Sequence, residues 1–222
     1  TFNEPHVSLV DVSKNPIERV TPTGVVVDGV EYPADVLICA TGFAAMTGSF
    51  DRIRITGRDG LALTKKWEAG PRTFLGLTTN GFPNFFTITG PGSPSVLASM
   101  VQSIEQHVEW IADCVAHLRD IGAASIEATL EEEDAWVEHV NDVSKISLRS
   151  TCSSWYVGAN TPGRPRVFMP YIGGFPIYVD RCNKVMDKGF EGFVIDGGTP
   201  TNAPPKIRLT ERWHVPVDSD VI

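Results

Sequence analysis

The sequence predicts an α/β protein in which a β-meander and an open parallel-sheet segment are combined with helices. Residues 7–40 are rich in β-branched residues and interrupted by turn signals, as expected of short strands. Within them, residues 36–40 are apolar on both faces, which is typical of a central parallel strand. After residue 93, apolar residues recur at three- and four-residue steps in separate segments, which predicts helices packed on one face.

The composition is that of an ordinary globular protein. The 222 residues, 42% of them hydrophobic, suffice for one large domain or two small ones. The formal net charge of −8 argues against nucleic acid and against an anionic membrane surface as partners. The four cysteines are far apart, which argues against metal or redox chemistry and fits a reduced, cytoplasmic compartment. We find no signal sequence and no apolar run long enough to span a bilayer.

The first 75 residues predict mostly strands and loops. Strands are expected at 7–10, 17–20, 25–27 and 30–32, with a hairpin turn at Asp28-Gly29 between the last two. The central strand 36–40 then ends in Thr41-Gly42-Phe43. Residues 44–75 predict surface loop with some short pairing.

Residues 84–118 predict a strand at 85–89, a glycine turn at 90–93 and the longest helix of the chain. Ser93 is a suitable N-cap, Pro94 suits the first helical position, and Gly122 would end the helix. The expected buried face consists of Leu97, Met100, Val101, Ile104, Val108, Ile111, Val115 and Leu118. The helix N-terminus would bind an electron-rich group above the strand, although a ligand-free βα unit is commoner for such a stretch alone.

The second half predicts further helices and a tail. A helix over 131–147 would be capped by Thr129 at capping-box spacing, so its acidic first turn is interpreted as a cap and not as a catalytic pair. Its expected buried stripe is Trp136, Val140, Val143 and Ile146. A loop-rich region follows at 151–176, then a helix over 177–188 and a strand over 190–195. From residue 197 we expect an extended clasp with alternating Ile207, Leu209, Trp213 and Val215.

General catalytic motifs are missing from the sequence. It contains no Gly-x-Gly-x-x-Gly after a strand, no P-loop and no nucleophile elbow. The five histidines are scattered, so we predict no metal site. Ala-Thr-Gly-Phe after an apolar strand is weak evidence when it is considered alone.

In combination, several segments resemble the flavoprotein family of type I Baeyer–Villiger monooxygenases. They follow the order found in that family and together cover about residues 7–196. The segments are residues 36–43, 70–77, 81–86, 90–95, 103–110, 154–163, 167–175 and 189–193. The resemblance corresponds to the C-terminal part of such an enzyme, whose fold contains two dinucleotide-binding domains, for FAD and NADP.

The resemblance implies three parts in this chain. Residues 1–34 would be a β-meander at the end of the NADP-binding domain. Residues 35–196 would be the C-terminal part of the FAD-binding domain, with a lid loop that meets substrate and NADP. Residues 197–222 would be an extended tail.

The resemblance also implies a reaction and a set of contacts. The whole enzyme would use NADPH and O2 to form a flavin peroxide that attacks a ketone, giving an ester or lactone. The positions implied to contact cofactors are Thr41, Gly42, Pro94, Ser95, Met100 and Trp155, with the helix start aimed at the pyrimidine edge of the flavin and Trp155 on the lid. The positions implied to line the ketone pocket are Ser95, Val96, Leu97 and Met169. Without the resemblance, core packing is the commoner role for Met100, Met169 and Trp155.

This chain departs from the family pattern at Arg164, where relatives usually carry lysine, and at Pro170 and Pro176-Ile177. It also begins Thr-Phe-Asn-Glu, and the family's dinucleotide fingerprint and catalytic arginine would belong to sequence before Thr1. We therefore expect no catalytic residue in this chain, an N-terminal part of the same protein as its partner, and no activity in isolation. The alternatives are a non-catalytic flavin-fold remnant acting as a binding module, and an N-hydroxylating flavin monooxygenase.

Overall fold

The computed structural model describes residues 1–40, 42–94, 98–159, 161, 163–199, 201–206 and 208–213. The chain divides into two compact units, Thr1–Gly42 and Phe43–Ile222. Within the described residues, no helix combines the length and the apolar character that crossing a membrane requires.

The first unit contains an antiparallel meander of three strands, β1 (Ile17–Val20), β2 (Gly24–Val27) and β3 (Val30–Pro33). Asp28 and Gly29 both have positive φ, 50° and 71°, as a two-residue hairpin turn between right-twisted strands requires. Val26 and Val27 of the central strand are buried, whereas β1 and β3 are exposed. The predicted meander is confirmed over 17–33.

Two other strands predicted for this unit do not form. Residues 7–10 and 36–40 have no strand pairing in the described part of the chain. Val36, Leu37 and Ile38 are 76%, 51% and 83% exposed. The prediction of a central parallel strand at 36–40 is therefore wrong for this chain. Apolar residues alone do not make a strand, because its backbone N–H and C=O groups need a neighbouring strand.

The second unit contains the helices and a second antiparallel sheet. Its helices are α1 (Leu63–Lys66), α2 (Met100–Ile121), α3 (Leu130–Ser144) and α4 (Phe175–Asp187). Strand β4 (Ala123–Ala128) pairs with β5 (Phe193–Gly197). Short 3-10 helices occupy Phe50–Arg52, Arg58–Gly60, Leu148–Ser150, Trp155–Val157 and Leu209–Trp213.

The main core lies between α2, α3, α4 and the β4–β5 sheet. Trp110 of α2 is fully buried at its centre, with Phe190 and Phe193 at ring distances of 5.4 and 6.0 Å. Its indole N–H donates to the carbonyl of Cys182 in α4 over 3.1 Å, so the central aromatic residue also joins two helices. A separate small cluster contains Leu63, Trp67 and Phe82.

Several local predictions for the second unit are confirmed, with shifted ends. The Thr129 hydroxyl caps α3 by accepting the Glu132 N–H over 3.2 Å. Trp136 and Val140 are buried as expected, but Ile146 is 80% exposed because α3 ends at Ser144. Helix α4 begins two residues before its predicted start. Strand β5 begins three residues after its own predicted start. The partner strand β4 was not predicted. Residues 85–89 form no strand, since only the single bridge between Thr78 and Phe86 occurs there.

The tail is attached to α2 through a buried carboxylate. Asp113 is fully buried and accepts the N–H groups of Leu209 and Thr210 over 2.9 and 3.1 Å and the Thr210 hydroxyl over 3.1 Å. At Leu209–Trp213 the segment is a 3-10 helix, whereas the sequence predicted an extended clasp. Ile207 and Val215 lie outside the described residues.

Candidate functional site

The glycine turn at 90–93 is held through its carbonyl groups. All four carbonyl oxygens accept hydrogen bonds. The donors are the Ser93 N–H and hydroxyl to Gly90 (3.1 and 2.7 Å), the Thr73 hydroxyl to Pro91 (2.7 Å), the Trp136 indole to Gly92 (3.1 Å) and the Tyr171 N–H to Ser93 (2.9 Å). A turn fixed by donors from separate segments is positioned rigidly against the rest of the unit.

Two glycines make this close packing possible. Gly92 has a φ of 84°, and a Cβ there would lie 2.9 Å from the Thr73 hydroxyl. A Cβ at Gly76, whose φ is 69°, would lie 2.6 Å from both the backbone nitrogen and the Cβ of Ser93. Both positions need glycine for backbone conformation and for space.

The backbone brings three of the family-like segments together at this turn. The Gly92 N–H donates to the Met169 carbonyl over 2.6 Å, and the Tyr171 N–H donates to the Ser93 carbonyl over 2.9 Å. The Met169 N–H in turn donates to the Tyr156 carbonyl over 2.8 Å. Segments 90–93, 154–159 and 167–171, which are far apart in sequence, therefore form one assembly.

The helix that follows the turn begins later than predicted. Helix α2 starts at Met100 with Ser99 as its N-cap, and the Ser99 side chain makes no cap hydrogen bond. Ser93 does not cap the helix, because its hydroxyl donates to Gly90. The predicted start at Pro94 is therefore wrong, and the positive end of the helix lies six residues further along. The end at Gly122 is confirmed, with a φ of 70° at that residue.

The predicted buried face of α2 is mostly its exposed face. Val101, Ile104, Val108 and Val115 are 66%, 41%, 45% and 52% exposed, and Met100 is 42% exposed. Leu97 lies outside the described residues; among the other members of the predicted stripe only Leu118 is buried, and Ile111 packs partly against the core. The buried positions are instead Ser103, Gln106, His107, Trp110, Asp113, Cys114, His117 and Leu118.

His107 connects the buried face of α2 to the loop segments at Thr89 and Leu75. The Thr89 N–H donates to its Nδ1 over 2.9 Å, so Nδ1 carries no proton and Nε2–H donates to the Tyr178 hydroxyl over 2.8 Å. The Tyr178 hydroxyl donates to the Leu75 carbonyl over 2.7 Å. Burial lowers the pKa of His107 to about 4, so the imidazole is neutral at physiological pH.

This network predicts a specific loss of stability in acid. Because the pKa of His107 falls from 6.5 to about 4 on folding, the unfolded chain takes up the proton first as the pH falls. The stability is therefore complete above pH 6.5 and decreases as the pH falls towards 4. We expect the free energy of unfolding, measured in urea, to fall by about 2 kcal/mol more between pH 7 and pH 4.5 in the wild type than in His107→Gln.

The difference between the two proteins isolates His107, since the pKa values of His117 and His139 are also lowered by burial and both histidines remain in the variant. Parallel stability curves for the wild type and His107→Gln would contradict the assigned neutral network.

A cavity of about 200 Å³ lies beside the same assembly. Its lining includes Met169, Arg164, Trp67, Asp51 and Thr47. The Arg164 guanidinium bonds to the Asp51 carboxylate and the Thr47 hydroxyl, so this arginine joins the loop near residue 50 to the loop after Trp155. Met169 is 5% exposed and contributes to the wall of this cavity.

The structure describes some of the predicted site residues and not others. Thr41, Ser95, Val96 and Leu97 lie outside the described residues. Pro94 is buried, Met100 is half-exposed on the first turn of α2, and Trp155 is half-buried with its ring 4.4 Å from that of Tyr156. Gly42 is exposed with a φ of 81° and ends the first unit, whereas Pro94, Met100 and Trp155 lie in the second.

Sequence reasoning missed three residues that organise this region: Trp136, His107 and Glu133. Trp136 was predicted to lie in the core. Its hydrogen bond to the Gly92 carbonyl was not predicted, because the spacing of apolar residues on one helix does not indicate such a bond. Glu133 was expected to serve a helix cap. Instead its fully buried carboxylate lies 2.8 Å from Lys66 Nζ and accepts the Asn80 N–H over 2.7 Å. Spacing on one helix cannot reveal partners contributed by distant loops.

The arrangement has the parts that are needed to bind and orient a ligand. In the described part of the chain, no three His, Cys, Asp or Glu side chains lie where they could hold a metal ion. The site offers a rigid turn, the N-terminus of a 22-residue helix and a half-buried tryptophan in the 3-10 helix Trp155–Val157.

Curated relatives of the chain are flavin-type oxygenases. Acetone monooxygenase (methyl acetate-forming) of Gordonia sp. strain TY-5 is 40% identical over 196 residues, covering 87% of this chain and 37% of that enzyme. A Baeyer–Villiger monooxygenase of Pseudooceanicola batsensis is 36% identical, with 88% and 36% covered. Phenazine N-monooxygenase PhzNO1 of Lysobacter antibioticus is 37% identical, also with 88% and 36% covered. No protein-family model matches the chain.

Solved structures give the same result. Oxidized steroid monooxygenase bound to NADP matches with a TM-score of 0.77 and 49% identity, covering 89% of this chain and 37% of that one. The closed crystal structure of cyclohexanone monooxygenase matches with a TM-score of 0.82 and 38% identity, with the same coverage. The chain therefore has the fold of a part of the flavin monooxygenases that contain two dinucleotide-binding domains.

Within that class, the chain is similar over most of its own length to a part of Baeyer–Villiger monooxygenases and related enzymes. It spans little more than a third of the length of the relatives that it matches. The resemblance predicted from the ordered segments is confirmed.

Proposed function

We propose that this chain is the C-terminal portion of an FAD- and NADPH-dependent Baeyer–Villiger monooxygenase. The whole enzyme would insert one oxygen atom of O2 next to a ketone carbonyl to give an ester or lactone. The observation that supports this best is the hydrogen-bonded assembly of segments 90–93, 154–159 and 167–171 just before α2. These segments carry the resemblance to the family, and they meet in space.

The described residues fit a flavin on one side. The first-turn N–H groups of α2 lie outside the intrahelical ladder, and the Ser99 side chain makes no cap hydrogen bond to them. Met100, in the first turn, is 42% exposed and could contact a flat ring. When bound, FAD supplies the redox and oxygen-activating chemistry and NADPH supplies the hydride.

The chain's own part would be to bind, orient and exclude water. The positive end of α2 favours negative charge at the pyrimidine edge of the ring, and the fixed turn 90–93 sets where that end lies. Trp155, on a neighbouring 3-10 helix, would meet NADP and close the site against water. Met169, with Ser95, Val96 and Leu97, would shape the ketone pocket. Thr41, Gly42 and Pro94 would lie against the FAD.

The proposal also assigns parts and partners. Residues 1–34 would end the NADP-binding domain, residues 35–196 would complete the FAD-binding domain, and residues 197–222 would be a tail. The partner would be a preceding portion of the same polypeptide that grips the FAD phosphates and carries the catalytic arginine. We place the protein in the cytoplasm because its four cysteines are free thiols.

The activity test compares this chain with the longer polypeptide. We expect the 222-residue chain to show no NADPH- and ketone-dependent oxygen uptake, because it contains no phosphate-binding glycine motif. The longer polypeptide should consume O2 with NADPH and place one labelled atom from 18O2 in the ester or lactone. Ketone oxygenation by the short chain would refute the division of labour proposed here.

N-oxygenation is a second candidate, which the 37% identity to phenazine N-monooxygenase favours specifically. An N-heteroaromatic substrate and a cyclic ketone, offered separately to the longer polypeptide, distinguish the two reactions by product.

A third possibility is a flavin-fold remnant that only binds other molecules. It predicts a stable, colourless chain that acts without a complementary segment.

A further inference from the structure

The cavity beside Met169 adjoins a second, more exposed groove. This groove has a volume of about 270 Å³, and its lining includes Arg52 and Arg54. Asp51 and Thr64 line both spaces, so the cavity and the groove are neighbours. Each space alone is smaller than an ordinary small-molecule site, which occupies about 300–1,000 Å³, whereas the two together fall within that range. A ligand held in one of them therefore has room to extend into the other.

The groove contains two positive charges that this chain does not compensate. Arg52 and Arg54 are exposed, and neither guanidinium forms an ion pair or a hydrogen bond with another described residue. Ile53 between them has an extended backbone (φ −111°, ψ 128°), which directs the residues on either side of it to the same side of the chain. The acidic residue of the lining, Asp51, is already paired with Arg164. Two free guanidinium groups at one groove are notable in a chain whose formal net charge is −8.

The lining fits a ligand with an apolar body and one anionic end. A guanidinium group binds carboxylate and phosphate groups well, because its N–H donors match two oxygen atoms of such a group. Apolar side chains, Ile53, Ile55 and Ala62, complete much of the groove. The adjoining cavity is walled by Met169, which the proposed function assigns to the ketone pocket.

We propose that the whole enzyme oxygenates ketones that carry an anionic group, a carboxylate or a phosphate. Arg52 and Arg54 bind this group, and the part of the substrate that bears the carbonyl lies in the cavity beside Met169. The proposal rests on the proposed function, which supplies the reaction and the ketone pocket. It adds the class of substrate, because a pocket for a ketone does not by itself specify charge. The two arginines orient the substrate and take no part in the transfer of oxygen.

The test compares a charged ketone with its neutral counterpart in the longer polypeptide. The charged substrate is cyclohexanone with a propanoate side chain next to the carbonyl, and the neutral one is its methyl ester. We expect kcat/KM to be about tenfold higher for the propanoate than for the ester at low ionic strength, because hydrogen bonds to charged groups bind more strongly. The preference should decrease as NaCl is added, since the two arginines are exposed.

Substitutions then assign the preference to the groove. Arg52→Gln and Arg54→Gln should each reduce the preference for the propanoate to about threefold or less, mainly through a higher KM for it. Arg52→Lys keeps the charge and should retain a larger part of the preference. The matched control is Arg58→Gln, because Arg58 is exposed on the same segment but is paired with Glu127 and does not line the groove. The control should keep the tenfold preference.

Three results in the longer polypeptide would overturn the proposal. The first is an equal kcat/KM for the propanoate and the ester in the wild type. The second is a preference that survives both Arg52→Gln and Arg54→Gln, because the carboxylate would then be recognised elsewhere. The third is a rise in the KM for NADPH with either ketone in Arg52→Gln, because the arginines would then hold a phosphate of the cofactor and not the substrate.

The 222-residue chain separates this proposal from the proposed function. In an NMR titration with the propanoate, we expect the backbone amide signals of Arg52, Ile53, Arg54 and Thr64 to shift, whereas the methyl ester should leave them in place. Arg52→Gln should weaken the shifts. Absence of any shift with the propanoate would overturn the anion site. If the shifts occur but the longer polypeptide oxygenates neither ketone, the anion site stands and the proposed function fails.

Discussion

Trp136→Ala is expected to lower the free energy of unfolding of the chain by about 3–5 kcal/mol. The indole is 2% exposed, stacks on Tyr171 at a ring distance of 5.3 Å and donates to the Gly92 carbonyl over 3.1 Å. Its removal leaves a large cavity and an unpaired carbonyl in the turn 90–93. Because that turn precedes α2, we also expect weaker FAD retention in the longer polypeptide.

Two further variants separate packing from hydrogen bonding in this prediction. Trp136→Phe keeps an aromatic ring but removes the N–H, and it should cost about 1–3 kcal/mol through the unpaired Gly92 carbonyl and the smaller ring. Trp155→Ala makes the same change at a half-buried tryptophan and should cost clearly less than Trp136→Ala. Urea unfolding measures all three. A loss below 1 kcal/mol for Trp136→Ala would show that Trp136 does not hold the turn.

Glu133→Ala is expected to destabilise the chain by about 3–5 kcal/mol, for an electrostatic reason. The carboxylate is fully buried, with Lys66 Nζ at 2.8 Å, Arg72 Nε at 3.6 Å and the Asn80 N–H at 2.7 Å. The Lys66 side chain is only 14% exposed, so removal of its partner leaves a largely buried cation and an unpaired N–H group.

The matched control for this prediction is Glu131→Ala, the same change at an exposed position in the same helical turn. It loses only a favourable interaction with the helix dipole, about 0.3–1 kcal/mol. Lys66→Met combined with Glu133→Leu should cost less than the sum of the single changes, because it removes both charges together. Additive losses in urea unfolding would mean that the pair does not interact.

Local patterns predicted the elements whose partners are close in sequence. The meander over 17–33 and the capped start of α3 are examples, since Asp28-Gly29 and Thr129 define them within a few residues. Residues 36–40 form no strand, because no strand in the described part of the chain pairs with them. Strand β4 was missed because its partner β5 lies about 70 residues further along the chain.

Helix α2 shows most clearly where the reasoning from periodicity fails. Its existence and its end at Gly122 were predicted, but the face that packs into this chain was not. The core accepts polar residues such as His107 and Asp113 because other segments satisfy their hydrogen bonds. Periodicity identifies an apolar stripe but not which body covers it.

The order of the family-like segments along the chain predicted the candidate site better than the type of any single residue did. The segments at 90–93, 154–159 and 167–171 were grouped by resemblance, and the structure joins them by backbone hydrogen bonds. Which atoms make those bonds could not be predicted, because they depend on three-dimensional positions. The roles proposed for Met100, Trp155 and Met169 remain predictions.

The central claim is that this chain completes a flavin site in a longer protein, and the natural protein's intact mass and flavin absorbance test it most directly. We predict a yellow polypeptide, much larger than the 24.2 kDa of this chain, that carries FAD and loses it when the portion before this chain is removed. A colourless natural protein of 24.2 kDa would contradict the claim.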